Sequence, residues 1–267
     1  MQRSVTARLT AQTRSASSLV FALAAVRNEG YTSFEEDLSI TVNDEPVIPG
    51  ELADIHGGRL HTLKVDGEAS IVLDYRATVT GFATPEDVSE ADLIRYVRPS
   101  RYCESDRLLP TSYAEFGSLS GTELLGAVRE WVGKELAYVS GSSRPTDGAV
   151  ETLLGRRGVC RDYAHLVISL LRAKDVPARL AAVYAPGLSP MDFHAVAEAW
   201  VDDAWHVVDA TGLAPRESLL RISTGRDASD TAFLSTVGGS LQLSSMEVTA
   251  VVDSLPIDQP EKLVQLQ

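Results

Sequence analysis

Between residues 70 and 80 the chain alternates, with Ile71, Leu73, Tyr75, Ala77 and Val79 separated by Val72, Asp74, Arg76 and Thr78. A period of two sends alternate side chains to opposite faces of a sheet and predicts a half-buried strand. Residues 38–42 and 60–65 carry the same signal. Asn43-Asp-Glu-Pro46, His56-Gly-Gly58 and Asp66-Gly67 supply turn chemistry between them. An antiparallel β domain is therefore expected over residues 1–98. The apolar run at 17–26 is well short of the roughly 20 residues that span a bilayer. It runs straight into Arg27-Asn28-Glu29 with no small-residue cleavage site. It is read as a buried strand of a cytoplasmic protein, not as a leader.

The texture changes after Pro85. Residues 98–110, polar and marked by prolines, read as an interdomain connection, which places a second unit at 99–267. Ser120 and Glu123 have the spacing of a capping box, and Leu124, Leu125, Val128, Trp131, Val132 and Leu136 follow at helical intervals, predicting a helix that ends near Tyr138. Tyr163, Leu166, Val167, Leu170 and Leu171 mark a second helix, stopped by Pro177. Strands are predicted at 178–184, at 194–201, at 205–209 after an Asp202-Asp203 turn, and at 241–252. The fold class is α+β.

Composition narrows the function classes. The 267 residues carry 24 Lys+Arg and 37 Asp+Glu, a net charge of −13. The basic residues are scattered, so neither nucleic acid nor an anionic membrane is expected as a partner. Residues 28–54 hold eight acidic and no basic side chains, read as a solvated face. Two cysteines, Cys103 and Cys160, cannot frame a disulfide scaffold and fit a reducing compartment as free thiols. No phosphate-cradling glycine motif and no Cys/His metal spacing occurs, so neither cofactor nor metal is implied.

The candidate chemistry begins at Cys160, in the first turn of the second predicted helix. Unpaired N–H groups and the positive end of the helix dipole favour a thiolate there, although a buried structural cysteine would fit the position as well. A base distinguishes the two. With Asp202 and Asp203 as a two-residue turn, Val201 opposes Ala204, Val196 opposes Asp209, and His194 lies diagonal to Asp209 on the same face, about 7–8 Å away at Cα. A carboxylate on one imidazole nitrogen fixes the tautomer and leaves the other for a thiol, giving the Cys160, His194, Asp209 arrangement of nucleophilic acyl transfer. Glu198 shares that face and is the alternative carboxylate. His165, roughly 140° around the helix from Cys160, and His206, on the opposite strand face from Asp209, point elsewhere. His56 and His61 read as surface residues. Arg161 and Asp162 read mainly as capping charges, and Trp131 as packing.

These motifs together resemble the core of the bacterial transglutaminase-like superfamily of cysteine proteases. The resemblance rests on Gly158-Val-Cys160-Arg-Asp-Tyr-Ala-His-Leu, Val176-Pro-Ala-Arg179, His194 opening a strand, and Asp209-Ala-Thr211 closing its partner. It covers residues 120–215, and the β-rich N-terminal region and residues 101–106 are similar to segments preceding this core in many members. It implies a papain-like transglutaminase core with Cys160 as nucleophile, His194 as base and acid, and Asp209 as its orienting partner. The implied substrate is a peptide or protein amide. Val196 and Ala210 depart from the aromatic and proline usual in the family. The Cys160 backbone N–H is the expected first oxyanion donor, and the second could come from a side chain on the preceding helix or loop; Tyr138 is one candidate, although packing is the first reading for Tyr138 as for Trp131. Hydrolysis is the first reading, with glutamine transamidation and a non-catalytic binding module as alternatives.

Overall fold

A computed structural model describes residues 1–266. The first part of the chain contains strands β1 (Gln2–Arg14), β2 (Ser17–Phe21), β3 (Tyr31–Val42), β4 (Glu45–Val47), β5 (Gly50–Ala53), β6 (Arg59–Val65) and β7 (Glu68–Gly81). Helices α1 (Glu90–Val97), α2 (Ser105–Phe116) and α3 (Gly121–Glu135) follow, then β8 (Ala137–Tyr138), α4 (Ala149–Gly155), β9 (Arg157–Gly158) and α5 (Cys160–Arg172). The rest is β10 (Ala178–Tyr184), β11 (Phe193–Val201), β12 (Ala204–Val208), β13 (Leu220–Gly225), β14 (Leu234–Val237) and β15 (Leu241–Val252).

Two sheets, ordered β15-β1-β7-β3-β4 and β14-β2-β6-β5, enclose a core of Leu9, Leu19, Phe21, Ile71 and Leu73. The alternation read at 71–79 is the buried face of β7. The same period in β1 buries Val5, Ala7, Leu9 and Ala11, an alternation as legible in the sequence as that of β7. The closing strands, grouped by sequence with residues 99–267, pair instead with the N-terminal region: β15 with β1, and β14 with β2. Alternation identifies a strand without naming its neighbour.

The third large sheet, β12-β11-β10-β13, packs against α5. Leu166, Val167, Leu170 and Leu171 of the helix meet Leu180, Ala197 and Ala199 in a fully buried core. The expected connection at 98–110 is in part helix. Leu108, Ser112 and Phe116 place one face of α2 against α5, and the Ser112 hydroxyl donates to the Leu170 carbonyl at 2.8 Å. That packing outweighs the helix-breaking tendency of Pro110, which lies inside α2. Cys103 belongs to this core and is fully buried.

α3 ends at Glu135, earlier than expected, because Leu136 is extended and its carbonyl accepts the Tyr163 hydroxyl at 2.8 Å. The capping box does not form: Ser120 makes no side-chain cap with Gly121 at φ +57°. α4, absent from the sequence expectation, begins where Glu104 accepts from the Ala149 N–H at 2.8 Å. His56 and His61, expected at the surface, are largely buried side chains. His56 bridges Glu86 and the Tyr96 hydroxyl, and His61 pairs with Glu51. No helix among the described residues is long and apolar enough to cross a membrane.

Candidate active site

Cys160 is the first residue of α5. The chain reaches it through Gly158, where a Cβ would lie 2.6 Å from the Asp162 Cβ, so only glycine permits this approach. Asp162 accepts from the Val159 N–H at 2.8 Å and caps the helix start. Arg161 pairs with Asp162 and donates to the Arg144 carbonyl at 2.9 Å, tying the 141–148 loop to the cysteine turn. Both flanking charges therefore cap and anchor, as their positions suggested.

The β11–β12 hairpin has the register derived from its turn. Val201 faces Ala204, and Ala197 faces Val208. Asp202 and Asp203 adopt φ of +51° and +57°, the twisted two-residue turn that suits right-handed strands. Asp209 lies one residue beyond β12. His194 Nε2 is 3.0 Å from Asp209 Oδ2, and both side chains are almost wholly buried. The other carboxylate oxygen accepts from the Thr211 backbone N–H at 2.8 Å and from its hydroxyl at 2.7 Å, which locks the rotamer. Helix α3 closes on this turn at Gly133, whose missing Cβ would stand 2.9 Å from the Ala210 carbonyl oxygen.

Burial opposes charge on His194, but the Asp209 carboxylate beside it, together with Cys160, raises its pKa from 6.5 to about 10. Asp209 is likewise desolvated, and His194 and the Thr211 hydrogen bonds nevertheless hold its carboxyl below the ordinary value. The pair is therefore an imidazolium–carboxylate pair near neutrality. Nδ1 of His194 makes no hydrogen bond of full geometry, and the Cys160 thiol, which helps raise the ring pKa, is the group available to it.

Tyr138 also reaches this centre. Parallel pairing of β8 with β9 sets Tyr138 opposite Gly158, and Val139 N–H donates to the Gly158 carbonyl at 3.0 Å. Burial and then the neighbouring Cys160 side chain push the Tyr138 hydroxyl up to about 12, against the Cys160 backbone hydrogen bond, which lowers it. It is a protonated donor beside the sulfur.

Glu198 does not compete for His194. It is fully buried between Arg179 and Arg221, with contacts of 2.7–2.9 Å, and their charges pull its pKa down to about 2 against the cost of burial. His165 faces away from Cys160, as its helical angle requires. Its Nε2 accepts the Ala228 N–H at 3.1 Å, and burial lowers its pKa to about 4, keeping it a neutral acceptor. His206 Nε2 contacts the Val201 carbonyl at 3.1 Å, outside the cluster. Among the described residues, no three His, Cys, Asp or Glu side chains are grouped to hold a metal ion.

Residues 114–210 match the sequence profile described as the transglutaminase-like superfamily. The structure of a putative cysteine protease from Cytophaga hutchinsonii is 33% identical to this chain. It superposes with a TM-score of 0.87, over 98% of this chain and 95% of that one. An uncharacterised protein of Mycobacterium leprae is 25% identical over 141 residues, which are 48% of this chain and 49% of that protein. An uncharacterised protein of Mycobacterium tuberculosis is 39% identical over 70 residues, 21% of its length. The matched segments thus span half or less of these curated relatives.

Proposed function

Because the chain belongs to the transglutaminase-like superfamily, we propose that it is a cysteine-dependent amide or peptide hydrolase working through a thioester on Cys160. The observation that carries this reading is the His194–Asp209 pair, 3.0 Å apart in a buried setting, coupled to a thiol at the first residue of a helix. The likeness over nearly the whole chain to a protein described as a cysteine protease supports the same class.

In this mechanism the Cys160 thiolate attacks the amide carbonyl, and an S–C bond forms as the carbonyl oxygen becomes an oxyanion. The Cys160 backbone N–H and the Tyr138 hydroxyl are the donors proposed to receive it. Collapse breaks the C–N bond, and the His194 Nδ1 proton passes to the departing amine. Having given that proton to the amine, the imidazole is neutral and can then take a proton from water. Hydroxide adds to the thioester, and the acid and the thiol are released. Asp209 orients the ring and stabilises its cation throughout.

Hydrolysis and transamidation share every step up to the thioester and differ only in whether water or an amine resolves it. The deciding experiment offers peptide and glutamine amides with and without a primary amine and analyses the products by mass spectrometry. Free acid formed at a rate unaffected by amine supports hydrolysis, while amine-dependent adducts in place of acid would make the protein a transglutaminase. A cytoplasmic, reducing setting is part of the proposal, because the reaction needs a free thiol and both cysteines are unpaired.

A further inference from the structure

Cys160 and His194 open onto a cavity of about 520 Å³, a size suited to a substrate side chain with its flanking amide. Much of its apolar lining comes from parts of the chain distant in sequence. Ala182 and Ile222 project from the central sheet, Phe233 from the loop after β13, and Leu234 and Met246 from β14 and β15. Phe233 stacks on Phe193 with ring centroids 5.2 Å apart. The strands that join the N-terminal sheets thus contribute to the lining of the cavity onto which the thiol opens.

Two features make this a built pocket. The loop at 226–233 is fixed from beneath, with the Ala228 N–H held by His165 and the Asp227 carboxylate accepting from Ser229 and from the Tyr102 N–H at 2.9 Å. Of the polar side chains at its edge, Arg161 is engaged by Asp162 and the Arg144 carbonyl, and Thr231 by the Asp227 carbonyl. Asp192, at the mouth, is pushed upward by burial, and its carboxylate disfavours another anion nearby.

Resting on the hydrolase reading, we infer that the substrate class is an amide carrying an aromatic or branched aliphatic side chain beside the scissile bond, in preference to glutamine or a charged residue. An apolar side chain leaving water for this lining gains contact with Ile222, Phe233 and Met246 and displaces no committed hydrogen bond. A carboxamide or a charge laid against Ile222, Phe233 and Met246 is desolvated with no polar side chain among those three to receive it. Full burial of a Phe- or Leu-sized group corresponds to a preference of about 10- to 100-fold.

The test measures alkylation of Cys160 by chloroacetamides whose amide nitrogen bears phenethyl, isobutyl, aminoethyl, carboxyethyl or carbamoylethyl groups. In each reaction an S–C bond forms, chloride leaves and the thiol proton is released. Rates are normalised to those with glutathione, and the site is read by peptide mass spectrometry. The phenethyl and isobutyl reagents are expected to label Cys160 about 10- to 100-fold faster than the polar ones. Met246→Lys is expected to shrink that advantage about tenfold and favour the carboxyethyl reagent over the aminoethyl one. Equal normalised rates, or faster labelling by a polar reagent, would overturn the apolar preference while leaving Cys160 a nucleophile. No labelling by any reagent would overturn the hydrolase reading itself.

Discussion

Nε2 of His194 stands 3.0 Å from Oδ2 of Asp209, and both side chains are shut away from solvent. The contact sets one ring nitrogen against a carboxylate and leaves Nδ1 for the sulfur of Cys160, so the orientation of the imidazole depends on Asp209. Replacing Asp209 with Asn keeps the shape and removes the charge that stabilises imidazolium. Turnover is expected to fall by about 10³- to 10⁴-fold, the scale of the same exchange in a serine-protease triad. Steady-state kinetics on the folded variant checks this.

Glu198→Gln has the opposite profile. It leaves Arg179 and Arg221 buried with less compensating charge, so stability is expected to drop by about 3 kcal/mol with a much smaller loss of turnover in the protein that remains folded. Chemical denaturation alongside kinetics separates the two variants. If Glu198→Gln abolishes turnover and Asp209→Asn does not, the carboxylate roles are reversed.

The ion pair also gives stability a pH signature. The folded-state pKa of His194, about 10, lies above the unfolded value of 6.5. Its contribution is therefore present in full below about pH 6.5 and lost as the pH rises through about 10. Asp209, held below 3.8, retains its part until the pH falls beneath that value. The melting-temperature gap between wild type and Asp209→Asn should be widest near pH 5–6, roughly midway between those limits, and should close toward pH 10. A gap independent of pH would mean that the pair is not ionic.

Gly133→Ala should behave against helix propensity. Alanine inside a helix ordinarily adds about 1 kcal/mol of stability. Here its Cβ would press on the Ala210 carbonyl oxygen at 2.9 Å and displace the turn that carries Asp209. We expect no gain in melting temperature and at least a tenfold loss of kcat/KM, roughly the scale of a small misplacement at a reacting centre. A stabilised variant with full activity would contradict the close approach.

Cys160 and Cys103 should separate in iodoacetamide labelling. Cys103 is fully buried, and burial pushes its thiol up to about 12, so it should remain unmodified in the native protein while Cys160 reacts near neutral pH. Peptide mass spectrometry before and after denaturation distinguishes them, and equal native rates would count against Cys160.

The sequence carried the site further than it carried the architecture. Asp202-Asp203 sets a register in which one odd sum fixes every pair along β11 and β12, so the relation of His194 to Asp209 followed from counting. Cys160 at a helix start followed from the apolar spacing after it. What escaped was non-local. β15 has a legible alternation but no mark pointing to β1, more than two hundred residues away. α2 was hidden because Pro110 speaks locally for a break while the burial of Leu108 and Phe116 is settled by α5. Tyr138 stands in the sequence as a candidate donor, but what brings it to the sulfur is the pairing of β8 with β9, which two residues per strand cannot advertise.

The most direct test of the thioester account is pre-steady-state reaction with p-nitrophenyl acetate, followed by peptide mass spectrometry of the quenched protein. The account predicts a burst of about one nitrophenolate per chain, as expected of an accumulating acyl-enzyme, an acetyl group on Cys160, and loss of both in Cys160→Ala. A burst that persists in Cys160→Ala, or a quenched protein with Cys160 unacylated, would contradict it.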